Sequence, residues 1–342
     1  MSLSLGSDSS VSSPDAVEWR FSQAFGDKLP GESIQDADLI TALEFDKNGD
    51  HLAVGDRGGR VVIFKRDGVN SDWETFLSGD DLRINLWNLE VSNQCFNIID
   101  LKPTNMEDLI EVITAAEFHP FHCNLLAYSS SRGFVRLVDM RQSALCDHNA
   151  RIFKDEDSQP KSFFTEIIAS ITDMKFANDG RHILSRDYMN LKLWDMNMDA
   201  GPVATFRVHD NLRPKLCDLY NNDAIFDKFE CCLAKDRLSF ATGSYSNHLR
   251  IFSYENGSND GVTIEASRNT NTKPQIQTTS RPRRSSLSNL ARGFYRPGHD
   301  SNNLGSTDFS YDFNSKLLNL AWHPTNDLIA CATGGTLFMY HA

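Results

Sequence analysis

Side chains that transition metals favour come together in the stretch FHPFHC, where His119, His122 and Cys123 stand within one turn-length of chain. Imidazole and thiolate groups at short spacing form zinc sites when further ligands complete a tetrahedron. The chain contains no C-x-x-C, however, and His-Pro recurs at His323-Pro324, so the motif reads as a turn between strands. No metal and no cofactor is expected. The glycines and arginines of GDRGGR, Gly55 to Arg60, lack both the spacing and the following helix of a phosphate loop and read as a tight turn. No Ser/His/Asp or paired-carboxylate pattern stands out, so no catalytic residue is expected and the chain is not read as an enzyme. RPRRSSLSNLARGFYR offers a different chemistry: Arg283 and Arg284 precede Ser285 and Ser286, which makes these serines phosphorylation candidates for a kinase directed by basic residues, while the plain reading of the stretch is a solvated linker loop.

Bulk properties narrow the partners. With 342 residues, 40% of them hydrophobic, the chain can bury a large core. A net charge of -12 disfavours nucleic acid and anionic membranes as general partners and favours basic proteins. The start, MSLSLGSDSSVSSPDAVEWRF, has no basic region followed by an apolar one, so neither secretion nor membrane spanning is expected. Seven cysteines at irregular spacing suggest a reducing compartment, hence a cytoplasmic protein, with the Arg-rich stretch also able to serve as a weak nuclear signal.

The elements that must position any site come from an internal repeat. Units begin at Leu39, Val112, Ser170, Ala224 and Leu317, each with an alternating apolar run, a turn rich in Asn, Asp, Gly or Pro, a second apolar run, a small-residue turn and a third run with a bulky end. That is three strands of a four-stranded blade, and LKLWDM at Leu191 to Met196 supplies the Trp-Asp pair of WD40 repeats. The fold class is therefore all-β, a WD40-type β-propeller.

Spacing then acts as a measurement. Equivalent third-strand positions fall at Phe64, Trp87, Val138, Trp194, Phe252 and Tyr340, at intervals of 23, 51, 56, 58 and 88 residues. A blade needs roughly 40 to 45. The interval of 23 cannot hold a blade, so strands are missing between Phe64 and Trp87. The interval of 88 contains a polar excursion, expected to be disordered over about 266–306. The expected organisation is a disordered tail over 1–16 followed by an incomplete propeller over 17–342, with about five complete blades plus a fragment. WRFSQAFG near the N-terminus is expected to supply the outer strand of the last blade, which has no room for its own. A gapped ring leaves apolar faces and strand edges open, so low stability is expected.

Several longer words carry a resemblance: EWRFSQAFGDK, ADLITALEFDKNGDHLAVGDRGGRVVIF, DDLRINLWNLE, NMEDLIEVITAAEFHP, SRDYMNLKLWDMNM and RPKLCDLYNNDAIFDKFECC. Together they resemble the 55-kilodalton B-type regulatory subunits of protein phosphatase 2A, over nearly the whole chain. The resemblance implies a seven-bladed ring here shortened by about one and a half blades, skipped between Asp67 and Ser71, with a shortened splice form or gene model as the plain origin. It implies as partners the phosphatase catalytic subunit, a helical-repeat scaffold and basic phosphoprotein substrates. The skipped stretch would include the hairpin arm that reaches the scaffold, so scaffold contact is the property it calls into question.

By the same resemblance, Asp81, Glu107, Leu109 and Val112 would line a groove for a short substrate helix, joined by Asp223, Phe226 and Lys228. The residues alone leave a second reading open at each. Asp80 and Asp81 can cap the turn before a strand. Asn105, followed by Asp108, suggests a helix start whose face, Leu109 and Val112, packs on a neighbouring blade. An alternative function, substrate receptor of a ubiquitin ligase, rests on the Asp-x-Arg of LVDMR, Asp139 and Arg141.

Overall fold

The computed structural model describes residues 20–25, 39–46, 49, 51–57, 61–65, 75–88, 95–155, 162–198, 200–235, 238–254, 261–266, 275–277 and 312–342. These form six antiparallel sheets. Strand β1 (Arg20–Phe25) precedes a three-stranded sheet of β2 (Ile40–Phe45), β3 (His51–Asp56) and β4 (Val61–Lys65). A second three-stranded sheet holds β5 (Thr75–Gly79), β6 (Arg83–Asn88) and β7 (Cys95–Asp100). Four strands each make the next two: β8 (Ile113–Phe118), β9 (Leu125–Ser130), β10 (Val135–Asp139) and β11 (Arg151–Phe153), then β12 (Ile171–Phe176), β13 (His182–Asp187), β14 (Asn190–Asp195) and β15 (Ala204–Arg207). A five-stranded sheet follows, with β16 (Cys231–Leu233), β17 (Ser239–Gly243), β18 (His248–Ser253), β19 (Gly261–Glu265) and β20 (Gln275–Gln277). The last sheet is β21 (Leu317–Trp322), β22 (Leu328–Thr333) and β23 (Thr336–His341), closed by β1.

Two expectations meet the structure directly. Arg20–Phe25 does pair with β23, Arg20 opposite His341 and Phe25 opposite Leu337, so the N-terminal words complete the last blade. The fragment expected beside the skip is the sheet β5–β7, while the first unit, β2–β4, also has three strands among the described residues. The excursion is more structured at its start than its composition suggests. Ala266 is buried and Gln275–Gln277 pairs with β19 as an edge strand. Positions 67 to 71, the tail over 1–16, and Ser285 and Ser286 lie outside the described residues.

Burial explains why the sheets stack. Each inner strand repeats an apolar–polar alternation, as in ITALEF, ITAAEF and ITDMKF of β2, β8 and β12, and neighbouring sheets share a core. Ile84 and Ile99 pack with Leu126 and Tyr128; Val135 and Phe153 with Trp194; Leu193 and Phe206 with Phe240; Leu249 with Leu320 and Cys331; Ala330 and Leu337 with Leu43 and Val54. Among the described residues, every neighbouring pair of sheets shares a core except β2–β4 with β5–β7.

Polar ties run round the channel in the same order. Glu117 Oε2 accepts the Phe176 N–H at 2.6 Å, Asp173 Oδ2 the Cys231 N–H at 2.8 Å, and Glu230 Oε2 the Leu320 N–H at 3.2 Å. Asn319 Nδ2 then donates to the Thr41 carbonyl at 3.2 Å. Each inner strand is thus held to the backbone of the next. Glu44 stands on β2 where Glu117 stands on β8, yet its carboxylate meets Lys175 Nζ across the channel at 3.2 Å and is 68% exposed. Among the described residues, no such tie runs from Glu44 to a following inner strand.

Below the channel, the His-Pro turns act as clips rather than ligands. His119 Nδ1 accepts the N–H groups of Phe121 and His122, which fixes the ring proton on Nε2, and Nε2 donates to Gly180 O at 3.0 Å. His323 repeats this with Thr325, Asn326 and Gly49 O. His122 and Cys123 are exposed, and no cluster able to hold a metal occurs among the described residues.

Candidate functional site

The opposite face gathers the strand ends and the helices that the sequence left unplaced. At Asp80-Asp81 the two carboxylates divide the roles. Asp80 Oδ1 accepts the N–H groups of Leu82 and Arg83 at 2.8 and 2.7 Å and caps the turn, whereas the Asp81 side chain is exposed and unpaired among the described residues. The Asp81 carbonyl accepts the Ile113 N–H at 2.7 Å, which fixes this turn beside the start of β8.

The segment leading into β8 is not the helix suggested by Asn105 and Asp108. Asn105 does cap a turn, its Oδ1 accepting the Glu107 N–H at 3.2 Å, but only Met106–Asp108 coil, and Leu109 is already extended at φ -67 and ψ 118. Leu109 and Val112 therefore do not share a helix face. A buried ion pair explains the early exit: Glu111 reaches Arg136 on β10 through two hydrogen bonds of 3.0 and 2.6 Å, with both side chains about nine-tenths buried. The Val112 N–H donates to Ser131 Oγ and the Val112 carbonyl accepts the Ser131 N–H. Glu107, Asp108 and Ile110 remain exposed above this anchored strip, Ile110 by 70%.

The strip continues onto helix α1 (Phe163–Ala169). Gly133 at the β9–β10 turn has φ +81, and a Cβ there would stand 2.7 Å from the Ala169 carbonyl, so only glycine lets α1 approach. Ser162 and Thr165 form the capping box that starts this helix, and Phe164, Ile167 and Ile168 pack on a core with Tyr188, Leu219 and Tyr245. Phe163 stays outside, 66% exposed. Its ring meets Tyr220 of helix α2 (Leu216–Asn221) at 5.4 Å, and Tyr220 meets Phe226 at 5.8 Å. Phe226 is 53% exposed and closes a turn, Ala224–Phe226, entered through left-handed Asp223 at φ 58.

That turn is pinned from beneath. The Tyr245 hydroxyl lies 2.6 Å from the Ala224 carbonyl and 2.9 Å from Asp227, and Lys316 Nζ pairs with Asp227 at 2.6 Å. Deeper still, Arg186 is fully buried, donating to the carbonyls of Asp187 and Asn190, and burial lowers its pKa to about 10. Burial, together with the Arg186 charge, holds His209 well below the usual imidazole range, so it packs there as a neutral ring.

The structure thus links the two groups of expected residues through a continuous strip: Asp81, Val112, Ser131, Gly133, α1, Tyr220, Phe226. Asp81, Glu107, Asp223, Phe226 and Lys228 are exposed on it, Leu109 and Val112 half-buried in it. No described contact joins Asp81 or Glu107 directly to Asp223 or Lys228. The residues the sequence did not single out are Phe163 and Tyr220, which line up with Phe226, Tyr220 between the other two, only after α1 and α2 dock. Asp81, Glu107, Asp108, Glu166, Asp218 and Asp223 are all exposed along this face, against Arg132 and Lys228. Apolar rings flanked by carboxylates suit an amphipathic basic segment rather than a small-molecule reaction.

Comparison with known proteins gives the family. The chain is 41% identical to the beta isoform of the 55 kDa regulatory B subunit of serine/threonine protein phosphatase 2A from Arabidopsis thaliana, covering 98% of this chain and 99% of the relative. It belongs to the family of 55 kDa regulatory B subunits of protein phosphatase 2A. Similar figures hold for the alpha isoform of Oryza sativa subsp. japonica, 40% identical over 98% of this chain and 87% of the relative, and for the regulatory B subunit of Schizosaccharomyces pombe, 36% identical over 94% and 97%. The first alignment spans 501 positions, so at least 159 of them hold residues of the relative that this 342-residue chain lacks. No family model matches the chain. Raptor of Chaetomium thermophilum is similar in structure, with a TM-score of 0.50 and 16% identity over 89% of this chain and 24% of that one, a likeness of fold alone. Nothing favours the ligase-receptor alternative; Arg141, on which it rests, is paired with its own Asp139 at 2.6 Å.

Proposed function

We propose that this chain is a non-catalytic regulatory B subunit of the protein phosphatase 2A holoenzyme, which selects phosphoserine and phosphothreonine proteins through the strip from Asp81 to Phe226. The observation that carries this reading is the strip itself: exposed Ile110, Phe163 and Phe226 on a rigid base, bordered by carboxylates that pair with nothing beneath them among the described residues. A basic amphipathic helix would lay its apolar side on Leu109, Val112, Phe163 and Phe226, and its Lys or Arg residues on Asp81, Glu107 and Asp223. Lys228 meets an acidic or phosphorylated residue of the same partner. Dephosphorylation is the task of a separate catalytic subunit, and the work of this chain is positioning. Family membership supports both the catalytic subunit and the helical-repeat scaffold as partners, with scaffold contact weakened by the missing arm. The chain acts in the cytoplasm and can enter the nucleus; its seven free thiols suit a reducing compartment.

Reversing Asp81 to Lys tests the reading. Binding of a basic helical substrate peptide should weaken about tenfold while circular dichroism and melting stay those of the parent, because Asp80 alone caps the turn. Unchanged peptide binding in a folded Asp81→Lys protein would refute the role.

A further inference from the structure

Among the described residues, the sheet β5–β7 has three strands, and a recurring tryptophan bond fixes which position of a four-stranded sheet is without one. Trp194 on β14, the third strand of its sheet, donates its indole N–H to Ser185 on β13, the second strand, at 2.9 Å. Trp87 on β6 makes the same bond to Ser78 on β5 at 2.7 Å, across the same nine-residue separation. Packing is compatible with that placement, although inner strands also touch the next inner strand. In the complete sheets, second strands lie against the inner strand of the next sheet: β9 on β12, β13 on β16, β17 on β21, β22 on β2. Strand β5 lies against β8 in that manner. Strand β5 is therefore a second strand, and its edge away from β6, unpaired among the described residues, faces the channel where β2, β8, β12, β16 and β21 stand in the other sheets.

The hydrogen bonds of that edge can be assigned. Asp80 N–H donates to the Arg83 carbonyl at 2.9 Å across the β5–β6 hairpin. Alternation then places the ladder bonds at Ser78 with Asn85 and at Phe76 with Trp87, and turns the N–H and C=O groups of Leu77 and Gly79 outward, away from β6. No partner for these outward groups exists among the described residues. Among the described residues, the polar ties round the channel end at this same seam, at Glu44.

We infer that the channel-facing edge of β5 accepts an extended segment of a partner protein as an added inner strand, pairing antiparallel with Thr75–Gly79 and packing on β8. The chemistry of the segment follows from the strands that fill this position elsewhere. Three of them read Ile-Thr, then three residues, then Phe, with the first and last side chains turned into a neighbouring sheet. The partner segment is about six residues long, apolar at its ends, alternating between, and free of proline at the ladder positions. An edge of this kind recruits a strand through main-chain bonds and selects it through alternate side chains.

The test uses the full chain and a labelled synthetic peptide, VITAAEFH, which copies residues 112–119. Fluorescence anisotropy should show saturable binding that a scrambled peptide does not share. Gly79→Pro removes an outward N–H without touching a β5–β6 ladder bond and should lower affinity about tenfold or more. Gly79→Ala keeps the N–H, and a Cβ there meets nothing nearer than the Arg83 carbonyl at 3.8 Å, so it should bind like the parent. Should Gly79→Pro fail to fold, hydrogen exchange on the parent decides: the peptide should slow the Leu77 and Gly79 amides. The inference is overturned if the peptide does not bind, if it binds with those amides unprotected, if Gly79→Pro binds as well as Gly79→Ala, or if the chain dimerises through this edge and so excludes the peptide.

Discussion

Changing Glu117 to Gln should stabilise the protein, and by more at alkaline than at acid pH, the reverse of what loss of an ion pair usually does. Glu117 lies deep in the channel facing Lys175, Asp173 and Glu44. Burial is the largest influence on it and, despite the opposing Lys175 charge and the Phe176 N–H, raises its pKa from 4.5 to about 7. The folded state therefore keeps a proton that the unfolded chain gives up near pH 4.5. Its stabilising contribution is whole below that value and is lost as pH rises through about 7. Between pH 5.5 and 8.5 the loss is about 2 kcal/mol for this one group. Gln keeps an acceptor for the Phe176 N–H and carries no charge at any pH. Urea unfolding of parent and Glu117→Gln at both pH values isolates the effect from other titrating groups, including His209, whose lowered pKa opposes it. A stability difference that does not change with pH, or that favours the parent at pH 8.5, would refute the reasoning.

Two further outcomes follow from other parts of the molecule. Glu111→Gln leaves the Arg136 guanidinium buried without its carboxylate and should cost about 3 kcal/mol in unfolding measurements; a loss under 1 kcal/mol would mean the pair does not anchor the strip. Capture of scaffold and catalytic subunit from cell extract should fall well below that of a full-length relative, because this chain has no residues at 159 or more of the aligned positions; equal capture would show that the absent stretch is dispensable for assembly.

What the sequence disclosed and what it hid divide along a physical line. The blades were legible because alternation and turn residues are local signals: Phe64, Trp87, Val138, Trp194, Phe252 and Tyr340 all fall on third-position strands. Closure by β1 was legible from the strand-like word WRFSQAFG near the N-terminus. The hidden features depend on partners far apart in the chain. Nothing local distinguishes Asp80 from Asp81 until the backbone turns under one of them. The short coil at Met106–Asp108 reflects Arg136, 25 residues beyond Glu111, overriding a cap that would otherwise begin a helix. Phe163, Tyr220 and Phe226 form a row only because α1 and α2 dock on the core around Tyr245.

Hydrogen exchange of the chain with and without a basic amphipathic helical peptide tests the central claim most directly, since the account makes residues 105–112 and 220–228 parts of one recognition face. Saturating peptide should slow exchange in both segments with the same concentration dependence, and the effect should fade as salt rises. Protection of one segment alone, or protection confined to the His-Pro turns at 119–123 and 323–326 on the far face, would contradict it.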